Sequence, residues 1–151
     1  MNKNTKTLVN ALKSKQALKV IAGINNFDKA RVLKIARAAQ QAKAHCVDIC
    51  AQEDIVTEVL AACADIAVAV SSVKPAELLR AAELGAEMLE LGNFEALHEE
   101  GIFPTATEIR KWTREIITGL DQLIADGLLR RFAPRNDGRV GGGGGEHPPC
   151  H

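Results

Sequence analysis

The chain has 151 residues, 46% of them apolar, and its 19 basic side chains balance 19 acidic ones, which is the profile of one globular domain. That balance, with one Trp, four Phe and no Tyr, argues against a polyanion-binding face or a base-stacking platform, so no nucleic-acid partner is expected. No apolar run approaches the roughly 18 residues a membrane helix needs, so no membrane association is expected.

Met1–Gln16 is polar and lacks the apolar segment of a signal peptide and the Arg/Ser bias of a transit peptide, so the chain is expected to be made in the compartment where it works. Leu8, Val9 and Leu12 predict a short amphipathic helix around Lys6–Lys13 that covers the bottom of a sheet. Four strand-like runs follow: Ala17–Gly23, Cys46–Ala51, Ile66–Ser71 and Glu87–Gly92. Helical patterns separate them. Asp28 is placed to cap a helix carrying Val32, Ile35, Ala36 and Ala39, and Asp54 stands near the start of the next. Pro75 suits a first helical turn and Gly85 a C-terminal end. Thr105 or Thr107 can cap a helix striped by Ile109, Trp112, Ile116, Leu120 and Ile124, and a fifth strand is expected within Leu120–Phe132.

Strands alternating with helices imply βαβ units and a parallel sheet. The two strand faces differ. Leu18, Val20, Ala22, Val47, Ile49, Ile66, Val68, Val70, Leu89 and Leu91 share one parity and are all apolar, whereas the other parity carries Lys19, Asp48, Ser71 and Glu90. A doubly wound sheet buries both faces under helices, but a barrel buries only the outer one and tolerates polar side chains inside. The expected fold is therefore a parallel β/α barrel of the TIM type, cut to about four βα units. These units occupy about half of the ~250 residues usual for that fold.

Residues 1–129 are assigned to this partial barrel and 130–151 to a disordered tail. The tail holds six of the twelve Gly and three of the five Pro, a composition without the means to build a core. His147, Cys150 and His151 lie close together there, but no metal site is expected without a fixed second shell. Cys46, Cys50, Cys63 and Cys150 have neither disulfide-framework nor zinc spacing, which fits reduced thiols.

The segments ALKVIAGINNFD (Ala17–Asp28), VDICA (Val47–Ala51), SSVKP (Ser71–Pro75) and LELGNFE (Leu89–Glu95) resemble the hypothetical chloroplast reading frame twenty-three family of cyanobacteria and algal plastids, from about Lys6 to about Gly119. The resemblance implies an aldolase-type barrel, similar to those that bind small phosphorylated metabolites, in a plastid stroma or cyanobacterial cytoplasm. It implies no reaction and no cofactor.

Barrel ligands bind at the C-terminal ends of strands. Asn25, Asn26, Ser71, Ser72 and Asn93 lie there, as substrate-binding candidates or, for Asn25, Asn26 and Ser72, as turn formers. Lys19, Asp48 and Glu90 lie deeper. They are candidates for proton transfer or, if burial lowers the lysine pKa, for amine nucleophilicity, against a paired ion cluster as the structural alternative. His98 and Glu99 follow the fourth strand in a loop, more in keeping with solvated residues than with catalysis. The expected function is an enzyme acting on a small phosphorylated metabolite in the full-length protein; the alternatives are a non-catalytic metabolite-binding or regulatory barrel and a non-functional truncated fragment. With four strands, the edges near Lys19 and Glu90 keep unpaired backbone groups and the inner face loses its opposite wall, which is expected to expose Ile21, Cys46, Cys50, Ala67, Ala69 and Met88 and to drive homo-oligomerisation or aggregation.

Overall fold

The computed structural model describes residues 1–129. The expected tail, its run of glycines and the His147–Cys150–His151 group lie outside the described residues.

Helix α1 (Lys3–Lys13) starts three residues before the amphipathic pattern because Asn2 caps it, its side chain accepting the Thr5 N–H. Strands β1 (Lys19–Ile21), β2 (Cys46–Cys50), β3 (Ala67–Ser72) and β4 (Met88–Leu91) form one parallel sheet in chain order. Helix α2 (Lys29–Gln41) is capped by Asp28 as expected, α3 (Glu53–Ala62) carries Asp54 in its first turn, and α4 (Pro75–Leu84) opens on Pro75. It ends at Gly85, whose φ of 108° only glycine adopts freely. After β4 comes a single turn, α5 (Glu95–His98), where a loop was expected. Helix α6 (Ala106–Ala125) follows, held by a reciprocal capping box between Thr105 and Glu108. The expected fifth strand is not found among the described residues: helix α6 runs through Ala125 and no strand follows to Leu129. The stripe of Ile116, Leu120 and Ile124 already placed this stretch in the helix, and residues 130–132 of the expected strand lie outside the described residues. No helix among the described residues is long and apolar enough to cross a membrane.

The core lies on the apolar parity. Val47, Ile49, Val68 and Val70 are fully buried against Val32 and Ala36 of α2, Ile55, Val56 and Val59 of α3, and Leu78 of α4. Each such side chain contributes about 1.5–3 kcal/mol through burial. Helix α6 packs on α4, where Gly119 meets Leu79 so closely that a Cβ would stand 2.5 Å from it.

The opposite face is drier than its parity implies. Cys46, Cys50, Ala67 and Ala69 were expected to meet water, yet each is at most 1% exposed. Helix α1 lies across the strand N-termini and sets Leu8 against Cys46, Ala67 and Ala69. Asn4 anchors the helix by donating to the Ala64 and Ile66 carbonyls, and Asn2 by donating to Glu87. Cys50 is covered from above, its thiol donating to the Asn26 carbonyl of the β1–α2 loop at 3.3 Å. Ile21 does meet water, at 64% exposure, because nothing described stands beyond the β1 edge.

Candidate functional site

Lys19, Asp48, Ser71 and Glu90 meet on the face that α2, α3 and α4 leave free. The strand register shows what that requires. Lys19 pairs with Cys46, Asp48 with Ala69, and Ser71 with Glu90, so Glu90 stands four residues further along the sheet than Lys19 and three strands across. In a flat sheet their Cα atoms would be roughly 19 Å apart, from about 4.8 Å per strand and 3.3 Å per residue. The two side chains together reach on the order of 11 Å. Yet the Lys19 ammonium hydrogen-bonds and ion-pairs with the Glu90 carboxylate. The sheet is therefore curled, with β4 brought round toward β1 and this face concave.

Within the curl, Asp48 is the most enclosed group, its side chain 5% exposed. Its Oδ1 accepts the Ser71 hydroxyl at 2.6 Å, and its Oδ2 lies 3.5 Å from Lys19 Nζ. Burial pushes the Asp48 carboxyl above its ordinary value, more strongly than the Ser71 hydrogen bond and the Lys19 charge pull it down. For Lys19, burial lowers the pKa, but the Glu90 hydrogen bond and the charges of Asp48 and Glu90 together outweigh it and hold the ammonium above its ordinary value. The sequence left open a lysine nucleophile with a lowered pKa. The two carboxylates favour the paired ion cluster that the sequence also left open, because a lysine held charged is a poor amine nucleophile. The cysteines are no better placed: burial pushes the Cys46 thiol up to about 11 and raises Cys50 and Cys63 as well.

Above this cluster, at the C-terminal ends of the strands, lies an open cleft of about 500 Å³. Ser71 is among its lining residues and, itself only 4% exposed, donates its hydroxyl to Asp48. Asn25 lines the cleft from the β1–α2 loop. Asn26 spends its side chain on the turn, donating to the Ala22 carbonyl and accepting the Asp28 N–H. Ser72 reaches the cleft wall but is engaged as a turn former: it donates to Glu77 at 2.6 Å and accepts the Lys74 N–H. Asn93 takes a left-handed conformation, with φ 57°, and its carbonyl accepts from Ala96; it is not part of the cleft lining. His98 stacks on Phe103 at 4.5 Å, also away from the lining.

Sequence reasoning missed Gln52, Lys74, Glu77 and Glu100 as lining residues. Gln52 and Lys74 precede helices α3 and α4, and Glu77 sits in the first turn of α4, so the β-end-to-helix rule that singled out Ser72 also reaches them. Among the described residues, no group of three or more His, Cys, Asp or Glu is arranged to hold a metal ion.

No solved structure matches the chain. Similar proteins include "Uncharacterized protein ycf23" of Cyanophora paradoxa, 36% identical over 111 residues, which are 72% of this chain and 46% of that protein. The protein of the same name in Porphyra purpurea is 38% identical over 99 residues, 66% of this chain and 37% of that protein. A third, from Cyanidium caldarium, is 34% identical over 103 residues, 68% of this chain and 41% of that protein. The chain thus spans less than half the length of these relatives. Residues 1–124 match the family described as "Protein of unknown function (DUF561)", and the chain belongs to that family, in which the ycf23 proteins are its relatives.

Proposed function

We propose that the described residues are one wall of a parallel, aldolase-type β/α barrel, and that the full-length protein is an enzyme acting on a small polar metabolite at the C-terminal ends of its strands. The observation that carries this reading is Ser71, which is part of the cleft lining and hydrogen-bonds the buried Asp48. A carboxylate with a raised pKa, hydrogen-bonded to a residue of the cleft wall, is placed to accept a proton from a ligand bound there. The charged Lys19 balances Asp48 and Glu90 and so positions the base.

A phosphorylated substrate remains part of the proposal, with its phosphate held elsewhere. The cleft lining carries Glu77, Glu99 and Glu100 against Lys74 alone, and Lys74 is paired with Glu77, so this wall favours the hydroxyl or amine end of a ligand. Phosphate subsites in such barrels form after strands seven and eight. The algal relatives support a plastid location.

The test uses a full-length relative and the residues matching Ser71 and Asp48. Thermal shifts against a panel of phosphorylated and unphosphorylated small metabolites identify a binder, and mass spectrometry follows its conversion. Asp48→Asn is expected to keep binding and lose conversion, and Ser71→Ala to weaken both. A second reading, a non-catalytic binding barrel, draws on the internally neutralised Lys19. A ligand that binds and is never converted would establish it in place of the enzyme.

A further inference from the structure

We infer that the turns leading into β1 and β2 form a docking surface for an acidic segment of another protein, with Lys13, Lys15 and Lys43 receiving its carboxylates.

The first observation is backbone conformation. Helices α1, α2 and α6 end in the same turn. Lys15, Lys43 and Gly127 donate their N–H groups to Leu12, Gln40 and Ile124, and the next residues, Gln16, Ala44 and Leu128, donate to Ala11, Ala39 and Leu123. The turn residue is left-handed each time, with φ 60° at Lys15, 58° at Lys43 and 68° at Gly127. Glycine suits that position best, because a Cβ is crowded there. Helix α6 uses glycine, and α4 also ends on a left-handed Gly85. Helices α1 and α2 carry lysine in spite of the strain. Both lysines are exposed, and neither forms an ion pair among the described residues. A helix C-terminus favours a nearby cation, but that preference is not followed elsewhere: α4 has Glu83 in its last turn and α6 ends on Asp126.

The second observation is the segregation of charge. Residues 1–45 hold ten of the 19 Lys and Arg and one of the 19 Asp and Glu, so the overall balance conceals a basic region. The parallel topology puts every helix-to-strand turn at one end of the sheet. The turns into β1 and β2 lie side by side there, since the His45 N–H donates to the Leu18 carbonyl and the Leu18 N–H to His45 Nδ1. Together they present Lys13, Lys15 and Lys43 and no carboxylate. The acids of that end, Asp65 and Glu87, belong to the turns into β3 and β4. Asp65 pairs with Lys3, and Glu87 accepts from the Asn2 side chain and the Val68 N–H. Unpaired lysines gathered in one place repel one another unless a partner supplies the opposite charge. Carboxylates fit better than phosphates. The three side chains offer no arginine fork, the group that grips phosphate in pairs of bonds, and no aromatic ring for a base.

Binding of a fluorescein-labelled decaglutamate peptide to the full chain is followed by fluorescence anisotropy at low salt. A labelled decathymidylate and vesicles of phosphatidylcholine and phosphatidylglycerol in equal parts are run beside it. Circular dichroism records the folding and melting of each variant. Lys15→Gly/Lys43→Gly is expected to melt ~2–4 °C higher than wild type, as the strain is relieved. It is also expected to bind the peptide about tenfold more weakly, from about threefold for each exposed ion pair lost. Lys111→Ala/Arg114→Ala removes the same charge from exposed positions of α6 and is expected to bind the peptide as wild type does. Lysines kept only for the helix ends would instead lower the melting temperature when replaced. A peptide that does not bind, an equal loss in both variants, a glycine variant that melts lower than wild type, or tighter binding of decathymidylate or vesicles than of the peptide would overturn the inference.

Discussion

Replacing Lys19 by Met tests the charged cluster directly. The substitution keeps most of the side-chain volume and removes the one cation that, among the described residues, pairs with Asp48 and Glu90. Losing one partner of a fully buried ion pair costs about 3–5 kcal/mol, and exposed pairs are worth about 0–1 kcal/mol. Here Asp48 is 5% exposed, Lys19 27% and Glu90 38%, so Lys19→Met should cost about 2 kcal/mol. Adding Asp48→Asn removes the stranded charge and should recover about 1 kcal/mol of that loss, a coupling within the range of contacting residues. Chemical unfolding of the four proteins at one protein concentration measures the cycle. The deficit should also depend on pH. Burial already raises the Asp48 carboxyl above 3.8, and losing Lys19 raises it further. A raised folded-state pKa gives stability that is present below the unfolded value and lost as pH rises through the folded value. The Lys19→Met deficit should therefore grow from about pH 4 toward neutrality. An additive cycle, or a deficit that is flat with pH, would refute the electrostatic account.

Two further outcomes follow from burial. Leu8→Ala should cost about 2–5 kcal/mol, the range for a buried leucine, because Leu8 roofs Cys46, Ala67 and Ala69; a cost below about 1 kcal/mol would mean that α1 does not seal the strand N-termini. In a Cys150→Ser chain, Cys46, Cys50 and Cys63 should resist a thiol-specific disulfide reagent at pH 8 until unfolding. They are buried, and the Cys46 thiol at about 11 is almost wholly protonated there. Labelling of Cys46 faster than global unfolding would contradict this.

The alternation of βα units, the parallel order and the concave placement of Lys19, Asp48, Ser71 and Glu90 were legible in the sequence because they rest on a period of two, which side chains declare directly. Asp28, Pro75, Gly85 and Thr105 were legible as helix ends for the same local reason. What was not legible depended on contacts distant in the chain. The burial of Cys46 required knowing that Leu8 would lie over it, and the polar cleft required knowing that Glu99 and Glu100, after α5, come round to the same rim as Gln52 and Glu77. The helix through Ala125 was legible because Ile116, Leu120 and Ile124 continue its stripe, whereas the fifth strand expected within Leu120–Phe132 rested on the repeat of βα units and has no counterpart through Leu129.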